Sequence, residues 1–329
     1  MRYLMHAGGA GALGVMLAGW TALPLAAQGA RVDTLPTRYA AHRWVAAPVL
    51  ESGDTLALYT DTGGGTNMLW PATLERLGLT AEWVPQGGDS MRVVSLPAMR
   101  AGTAIPLPAA PPPLGARFLV FEPEGFAEYD GFLSRTWFAN RTWIFDYPSE
   151  TLMLVQGPAP SPAPGHRVPL AFQTDSAGNR TTNFPRITAV VDGDTLDLLF
   201  DTGATTTLTP GALEALDDGG PAARATSFVT RSVFQRWRSA HPGWRVIEQA
   251  DAIGGAPMIE VPRMTIAGHE VGPVWFTGRP DAAFHEYMAQ WMDRPLDGAL
   301  GGSALRYFKV VVNYPEGYAE FATPGGRAD

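Results

Sequence analysis

The chain has 329 residues, enough for two domains that each bury a core. Glycine and proline occur 37 and 29 times and apolar residues make up 46% of the sequence, a composition that favours short strands joined by turns over a helical bundle. The formal net charge of −8 argues against a nucleic-acid partner, which would require a basic surface. There is no cysteine, so core packing rather than disulfides must stabilise the fold.

The first residues of the chain have the form of a secretory signal. Arg2 and His6 precede a small, apolar run over residues 7–25, and small residues continue to Ala27. We predict that residues 1–27 are a signal peptide and that the bacterial protein is exported to the periplasm or secreted, without stable membrane insertion after cleavage. The alternative, an uncleaved membrane anchor, is disfavoured by Pro24 and by the many glycine and alanine residues.

One sequence phrase occurs twice, at residues 53–63 and at residues 193–203. In each copy an apolar strand runs directly into Asp-Thr-Gly, and the two aspartates are 201 − 61 = 140 residues apart. A carboxylate at the end of an apolar strand is costly to bury, and the glycine that follows it permits a sharp turn. This pattern, built twice, points to chemistry at Asp61 and Asp201; the plainer alternative is that both aspartates only cap turns.

Elements downstream of each copy also match. Proline in a first turn and a terminating glycine predict a short helix over residues 71–78, and residues 210–216 hold the corresponding place after the second copy. Further along, Asp130-Gly131 parallels Asp297-Gly298, at a spacing of 297 − 130 = 167 residues. The chain is therefore interpreted as an internal duplication.

Proline-rich residues 157–167 predict an extended linker between the two copies. We accordingly predict an N-terminal lobe over residues 31–156 and a longer C-terminal lobe over residues 168–329. The extra length is predicted to fall mainly between Asp217 and Ala250. Within it, the helical apolar spacing of residues 227–240 indicates an inserted helix that covers the lobe.

Two Asp-Thr-Gly loops in one duplicated chain resemble the aspartic peptidases, in which two lobes each bring one such loop to a shared cleft. The individual lobes look like the retropepsin-like lobes of bacterial proteins, joined in one chain as in the pepsin-like enzymes. The resemblance implies a mostly β fold with two pseudo-symmetric β-barrel lobes, a few short helices and a cleft between the lobes.

The same resemblance implies an aspartic endopeptidase that acts on polypeptides as a monomer, with a water molecule activated by Asp61 and Asp201. Thr62 and Thr202 would hydrogen-bond across the dyad, and Gly63 and Gly203 would permit the tight loops. No cofactor or metal is implied, and the six histidines are scattered without metal-ligand spacing. The alternative function is a peptide-binding or interaction protein that retains the fold with weak or no catalysis.

The first copy departs from the family pattern. Gly64 and Gly65 make its loop one residue longer, Ser134 stands where the family has glycine, and neither Gly64 nor Ala204 supplies a hydroxyl to the dyad. Without that hydrogen bond to the charged form, we predict raised dyad pKa values and a mildly acidic optimum.

Candidates for the flap that covers a substrate are residues 87–94 and 253–258. Four tryptophans are expected in the core or the cleft wall: Trp137, Trp143, Trp275 and Trp291.

Overall fold

The computed structural model describes residues 30–123, 125–158 and 166–324. The predicted signal peptide, residues 1–27, lies outside this part of the chain, as do residues 159–165 of the predicted linker. The protein is mostly β, as predicted, and its helices are short. The α-helices of the described residues are α1 (Pro71–Leu77), α2 (Arg135–Phe138), α3 (Pro210–Leu216), α4 (Arg231–Ala240) and α5 (Gly302–Leu305), with a π-helical turn at Ala283–Tyr287 and a 3-10 turn at Met288–Trp291.

Most strands are three to six residues long, as the frequent glycine and proline turns require. The strands of the first half are β1 (Arg31–Thr34), β2 (Thr37–Ala40), β3 (Arg43–Ala46), β4 (Leu58–Thr60), β5 (Met68–Leu69), β6 (Glu82–Gln86), β7 (Asp89–Val94), β8 (Phe118–Val120), β9 (Gly131–Leu133), β10 (Thr142–Asp146) and β11 (Thr151–Gln156). Those of the second half are β12 (Arg167–Pro169), β13 (Arg186–Val191), β14 (Asp194–Phe200), β15 (Thr205–Thr207), β16 (Ala223–Ala225), β17 (Ser227–Thr230), β18 (Val246–Ile247), β19 (Met258–Val261), β20 (Met264–Ile266), β21 (His269–Val271), β22 (Val274–Arg279), β23 (Gly298–Leu300), β24 (Lys309–Asn313) and β25 (Tyr318–Ala322).

Each half contains one large sheet of its own. The first half forms an eight-stranded sheet in the order β2-β3-β4-β9-β5-β8-β7-β6, and the second forms a nine-stranded sheet in the order β18-β19-β22-β17-β23-β14-β13-β20-β21. Among the described strands both sheets have two free ends, so the lobes that were expected to be β-barrels are built on open sheets, and no closed barrel is found. β15 and β16 form a separate two-stranded sheet.

A fourth sheet takes strands from both halves. Its order is β1-β11-β10-β24-β25-β12, and β10 pairs with β24 in antiparallel register with Ile144 opposite Val311. The hydrophobic core is continuous across this junction, where the rings of Phe145 and Phe200 meet edge to face with centroids 6.1 Å apart. The two halves are therefore joined by a shared ladder and shared core packing, in addition to the chain connection.

The four tryptophans divide between core and surface. Trp137 and Trp143 are fully buried and pack together with ring centroids 4.5 Å apart, as expected for core residues. Trp275 is partly buried and lines a cavity beside α3, whereas Trp291 is 42% exposed.

In each half, one strand is parallel to the neighbour on one side and antiparallel to the neighbour on the other. β9 lies between β4, to which it is parallel, and β5, to which it is antiparallel. In the second half β23 lies between β14 and β17 in the same two senses. The counterpart of β5 is therefore β17, which follows the second Asp-Thr-Gly only after a long excursion.

This pairing corrects the expected position of the insertion. Because α1 follows β5 and α4 follows β17, α4 rather than α3 is the counterpart of α1. Residues 227–240 are not one inserted helix, since 227–230 form β17. The inserted elements are instead β15, α3 and β16, and β16 touches the first half, where Arg43 Nη2 donates to the carbonyl oxygen of Ala223 at 3.0 Å.

Candidate active site

Both Asp-Thr-Gly loops begin at the end of a parallel strand pair. Leu58, Tyr59 and Thr60 of β4 run beside β9, and the backbone N–H of Asp61 donates to the carbonyl oxygen of Leu133 at 2.8 Å. In the second half the N–H of Asp201 donates to Leu300 in the same way, at 3.0 Å. The ladder therefore fixes the backbone of each aspartate immediately before its loop.

The aspartates of the two Asp-Gly pairs hold these strands in place. Asp130 Oδ2 accepts the N–H of Ala57 at 2.8 Å, and Asp297 Oδ2 accepts the N–H of Asp197 at 2.9 Å. Position 197 follows position 57 by the same 140 residues that separate the Asp-Thr-Gly copies. These carboxylates act as positioning groups, each bonded to the strand that leads to an active-site candidate.

Thr62 and Thr202 cross between the two loops. Thr62 Oγ1 accepts the N–H of Thr202 at 2.9 Å and donates to the carbonyl oxygen of Phe200 at 2.6 Å, while Thr202 Oγ1 accepts the N–H of Thr62 at 3.2 Å. Both side chains are fully buried. The two loops are thus bonded to each other through atoms shielded from water, which makes their relative position rigid.

The carboxyl groups of Asp61 and Asp201 meet at this crossing and are hydrogen-bonded to each other. Each also accepts the N–H of the glycine two residues on, Gly63 at 2.7 Å and Gly203 at 3.0 Å. The opposite carboxyl fills the space that a side chain on either glycine would need, since a Cβ on Gly63 would lie 2.7 Å from Cγ of Asp201. Only glycine allows this approach.

Two carboxyls in contact, that of Asp201 buried and that of Asp61 partly buried, cannot both ionise easily. Burial, followed by the charge of Asp201 and the hydrogen bond between the two, raises the pKa of Asp61 well above its usual range. Burial also raises the pKa of Asp201, but there the hydrogen bond from Asp61 and the N–H groups of Gly203 and Ala204 oppose it. The N–H groups of Gly63 and Gly64 act in the same way on Asp61, so the pair shares one proton and titrates as a unit.

The longer first loop is accommodated by its neighbours. A side chain at Gly64 would overlap the ring of Phe132, so glycine is required there. Nη1 of Arg135 donates to the carbonyl oxygens of both Gly64 and Gly65, and its guanidinium carbon lies 4.3 Å from the ring centroid of Phe184 in the second half. Arg135 therefore restrains a loop that its glycines alone would leave loose.

Ser134 is also accommodated, although glycine stands at the equivalent Gly301. The N–H of Ser134 donates to Oδ1 of Asn67 at 2.8 Å, and the N–H of Gly301 donates to Oγ of Ser227 at 3.0 Å. A side chain on Gly301 would overlap the carbonyl oxygen of Thr226, but the first half has room for the Ser134 hydroxyl, which is buried. The two departures in the first half are thus matched by local packing.

Sequence reasoning missed Tyr59. Its side chain is fully buried, and its hydroxyl lies 2.8 Å from the carbonyl oxygen of Gly203 and 2.8 Å from Oγ1 of Thr205, both in the loop of the other half. The available signal was an asymmetry between the copies, since the position equivalent to Tyr59 is Leu199. A polar tip in only one of two matched apolar strands indicates a partner outside its own half.

A cavity of about 210 Å³ opens between the halves beside this contact. It is lined by Arg43 and Phe126 of the first half, by Thr205 of the second active loop, and by Ile253 and Gly254, which begin the second flap candidate. Ile253 is 81% exposed at the tip of the turn between β18 and β19. Of the two flap candidates, residues 253–258 border the cavity, whereas no described residue that lines it belongs to 87–94, the turn and second strand of the β6–β7 hairpin.

Within the described ranges, no group of three or more histidine, aspartate or glutamate side chains is arranged to hold a metal ion. No helix in that part of the chain is long and apolar enough to cross a membrane.

No protein-family model matches the sequence, and no curated protein matches it. Among solved structures, the chain is similar to an aspartic proteinase from Irpex lacteus, with 14% sequence identity over 90% of this chain and 98% of that chain and a TM-score of 0.48. It is also similar to basic 7S globulin from soybean, with 10% identity over 89% of this chain and 97% of that chain and a TM-score of 0.44.

Proposed function

We propose that the protein is an aspartic endopeptidase whose catalytic residues are Asp61 and Asp201. The observation that carries the proposal is the pair of hydrogen-bonded, desolvated carboxyls, brought together from separate halves by the crossing of Thr62 and Thr202. A structural role for these aspartates does not require two carboxyls in contact, an arrangement that raises both pKa values and is unfavourable for folding at neutral pH. A pair of carboxyls that share one proton can supply a general base and a general acid at the same site.

The dyad carries one proton, so one carboxyl acts as the base and the other as the acid, and Asp61 and Asp201 can exchange these roles. When Asp201 is the charged member, it takes a proton from a water molecule held at the dyad, and the water oxygen bonds to the carbonyl carbon of the peptide. Asp61, the protonated member, donates to the carbonyl oxygen as charge develops there. The tetrahedral diol then collapses: its C–N bond breaks, the leaving nitrogen takes the proton that Asp201 removed from water, and a diol hydroxyl returns its proton to Asp61, so the dyad ends with one proton as it began.

We propose that the protein acts on polypeptides as an exported monomer, without a metal or cofactor. A cavity between the halves beside the second active loop offers room for part of an extended peptide. Export after cleavage of residues 1–27 is proposed from the sequence, and sequencing the N-terminus of protein recovered from the periplasm or medium tests it.

The experiment is proteolysis of an unfolded protein mixture by the purified protein, with and without a statine-type inhibitor. Asp61→Asn and Asp201→Asn should each abolish cleavage, and Asp194→Asn is the matched control because that side chain is 55% exposed at the start of β14. Cleavage that survives both dyad substitutions would overturn the mechanism. Binding of peptides without any cleavage by the unaltered protein would instead favour the peptide-binding alternative.

A further inference from the structure

We propose that the cavity between the halves is a subsite for a carboxylate of the bound polypeptide and that Arg43 recognises it. The inference rests on the proposed peptidase function and specifies its substrates: polypeptides with an acidic side chain, or a terminal carboxylate, near the scissile bond. It is carried by one buried cation that lacks a counter-charge, in a cavity next to the dyad.

The cavity is close to the catalytic loop. Thr205, which lines it, lies four residues after Asp201, and its Oγ1 donates to the carbonyl oxygen of Gly203 at 3.0 Å. Gly203 in turn packs directly against the carboxyl of Asp61. A group seated in this cavity therefore belongs to a residue close to the bond being cleaved.

Arg43 is a buried arginine whose charge is not balanced by the described chain. It is only 9% exposed, its Nη2 donates to the backbone oxygen of Ala223, and its Nε is buried without a hydrogen-bond partner. Two other arginines with little exposure are ion-paired: Arg186 contacts Asp197 at 2.5 Å and Arg224 contacts Asp218 at 2.5 Å. An unpaired buried cation is costly, and a ligand carboxylate would remove that cost.

The remaining charges around the cavity leave Arg43 as the uncompensated one. Arg279 is paired with Asp251, with Nη1 and Oδ2 2.6 Å apart and only 3% of the Asp251 side chain exposed. Glu128 is exposed to solvent, where its charge is well hydrated and screened. Among the charged groups that line the cavity, Arg43 is therefore the buried one without an ion-pair partner in the described part of the chain.

The dimensions suit one side chain. A volume of about 210 Å³ corresponds to roughly seven water molecules at about 30 Å³ each. Phe126 and Ile253 give the cavity apolar walls for a methylene stem, and Arg43 supplies the polar contact. Ile253, exposed at the tip of its turn, is placed to cover the occupant.

The test uses matched peptide substrates that carry either Glu or Gln at each position around the cleaved bond. We expect one position at which Glu raises kcat/KM by about tenfold or more, the effect of one hydrogen bond to a charged group. A second matched set, with a C-terminal acid or amide, distinguishes a terminal carboxylate from a side chain. Equal rates for all matched substrates would overturn the subsite.

Variants assign the preference to Arg43. Arg43→Gln should lower the ratio of kcat/KM between the Glu and Gln substrates to about one, while Arg43→Lys, which keeps the charge, should retain part of the preference. Arg31→Gln is the control because that side chain is 78% exposed. A preference that survives in a folded Arg43→Gln variant would show that another group recognises the carboxylate and would overturn the assignment.

The subsite and the proposed function fail in distinguishable ways. Cleavage without acidic preference leaves the peptidase intact and removes the subsite. If no peptide is cleaved, the proposed function fails, and binding of the Glu and Gln peptides, measured by fluorescence anisotropy, still decides the subsite: tighter binding of the Glu peptide supports it and equal binding overturns it.

Discussion

The hydroxyl of Tyr59 lies 2.8 Å from the carbonyl oxygen of Gly203, so a side chain two residues before Asp61 is bonded to the loop that holds Asp201. This contact adds to the crossing of Thr62 and Thr202 but lacks its symmetry, because the second half has Leu199 at the equivalent position. The position of the second loop therefore depends on the first half more than the reverse.

Tyr59→Phe should lower kcat with little change in peptide binding, because the loop of Asp201 loses one restraint while the cavity keeps its shape. The expected loss of unfolding free energy is about 1 kcal/mol, the net value of one buried hydrogen bond. Tyr314→Phe is the matched control, since the Tyr314 hydroxyl is buried without a hydrogen-bond partner. Steady-state kinetics and chemical denaturation measure both effects, and equal behaviour of the two variants would contradict the role given to Tyr59.

Thr62→Val should destabilise the protein by about 2–3 kcal/mol, because it removes two short hydrogen bonds of one buried hydroxyl and leaves their partners unsatisfied. Thr206→Val is the matched control: Thr206 Oγ1 is buried without a partner, so its removal should be neutral or slightly stabilising. Urea denaturation of both variants measures the difference. A Thr62→Val variant as stable as Thr206→Val would show that the crossing contributes no stability.

Gly203→Ala should abolish activity, because its methyl group would overlap the carboxyl of Asp61 and push the dyad apart. Gly211→Ala, in α3, has no heavy atom within 4 Å of the added methyl and should instead stabilise the protein by about 0.5–1 kcal/mol. Proteolysis assays and thermal denaturation compare the pair. Retained activity in Gly203→Ala would mean that the two carboxyls do not need their observed contact.

Stability should fall as pH rises through the range in which the dyad ionises. The folded-state pKa values of Asp61 and Asp201 are raised, so the unfolded chain releases these protons first and the folded state loses relative stability above about pH 4. Asp61→Asn should therefore gain Tm relative to the unaltered protein, and the gain should grow from pH 4 to pH 7. Calorimetry across that range checks the sign, and a pH-independent difference would contradict it.

Activity should have a mildly acidic optimum. One proton on the dyad is required for catalysis, and raised pKa values move the singly protonated range upward. The absence of a hydroxyl at Gly64 and Ala204 acts in the same direction, because no side chain at those positions hydrogen-bonds to the charged form. A profile of kcat/KM against pH measures the optimum, and activity confined to strongly acidic solution would contradict the assignment.

The repeat can be recognised in the sequence at positions where the local geometry allows only one residue type. Asp130 and Asp297 recur because each must accept an N–H of the adjacent strand, and Gly63 and Gly203 recur because a carboxyl occupies the space of a side chain. The position of β17 was not predictable in this way. Asn67 and Ser227 each accept a backbone N–H from the strand end beside them, but Asn67 does so with an amide oxygen and Ser227 with a hydroxyl. No shared residue type therefore reveals that β5 and β17 correspond.

Contacts between the halves could not be predicted from the sequence either. Tyr59 and Arg135 have Leu199 and Gly302 as their counterparts, so a comparison of the copies gives them no partner. The residue that Tyr59 contacts is 144 positions away, a separation at which periodicity carries no information. The open sheets and the shared ladder of β10 and β24 likewise depend on long-range pairing rather than local propensity.

The pairing of β10 with β24 has a consequence for how the sequences of the two halves can diverge. The two strands occupy the same place in each half, so the pairing has the form of a two-fold dimer interface contained in one polypeptide. In a dimer of identical subunits every substitution appears on both sides of the axis. Fusion into one chain removes that constraint. Tyr59 can therefore face the second loop although the equivalent position in that half is Leu199, and Arg43 can stand on only one side of the cleft.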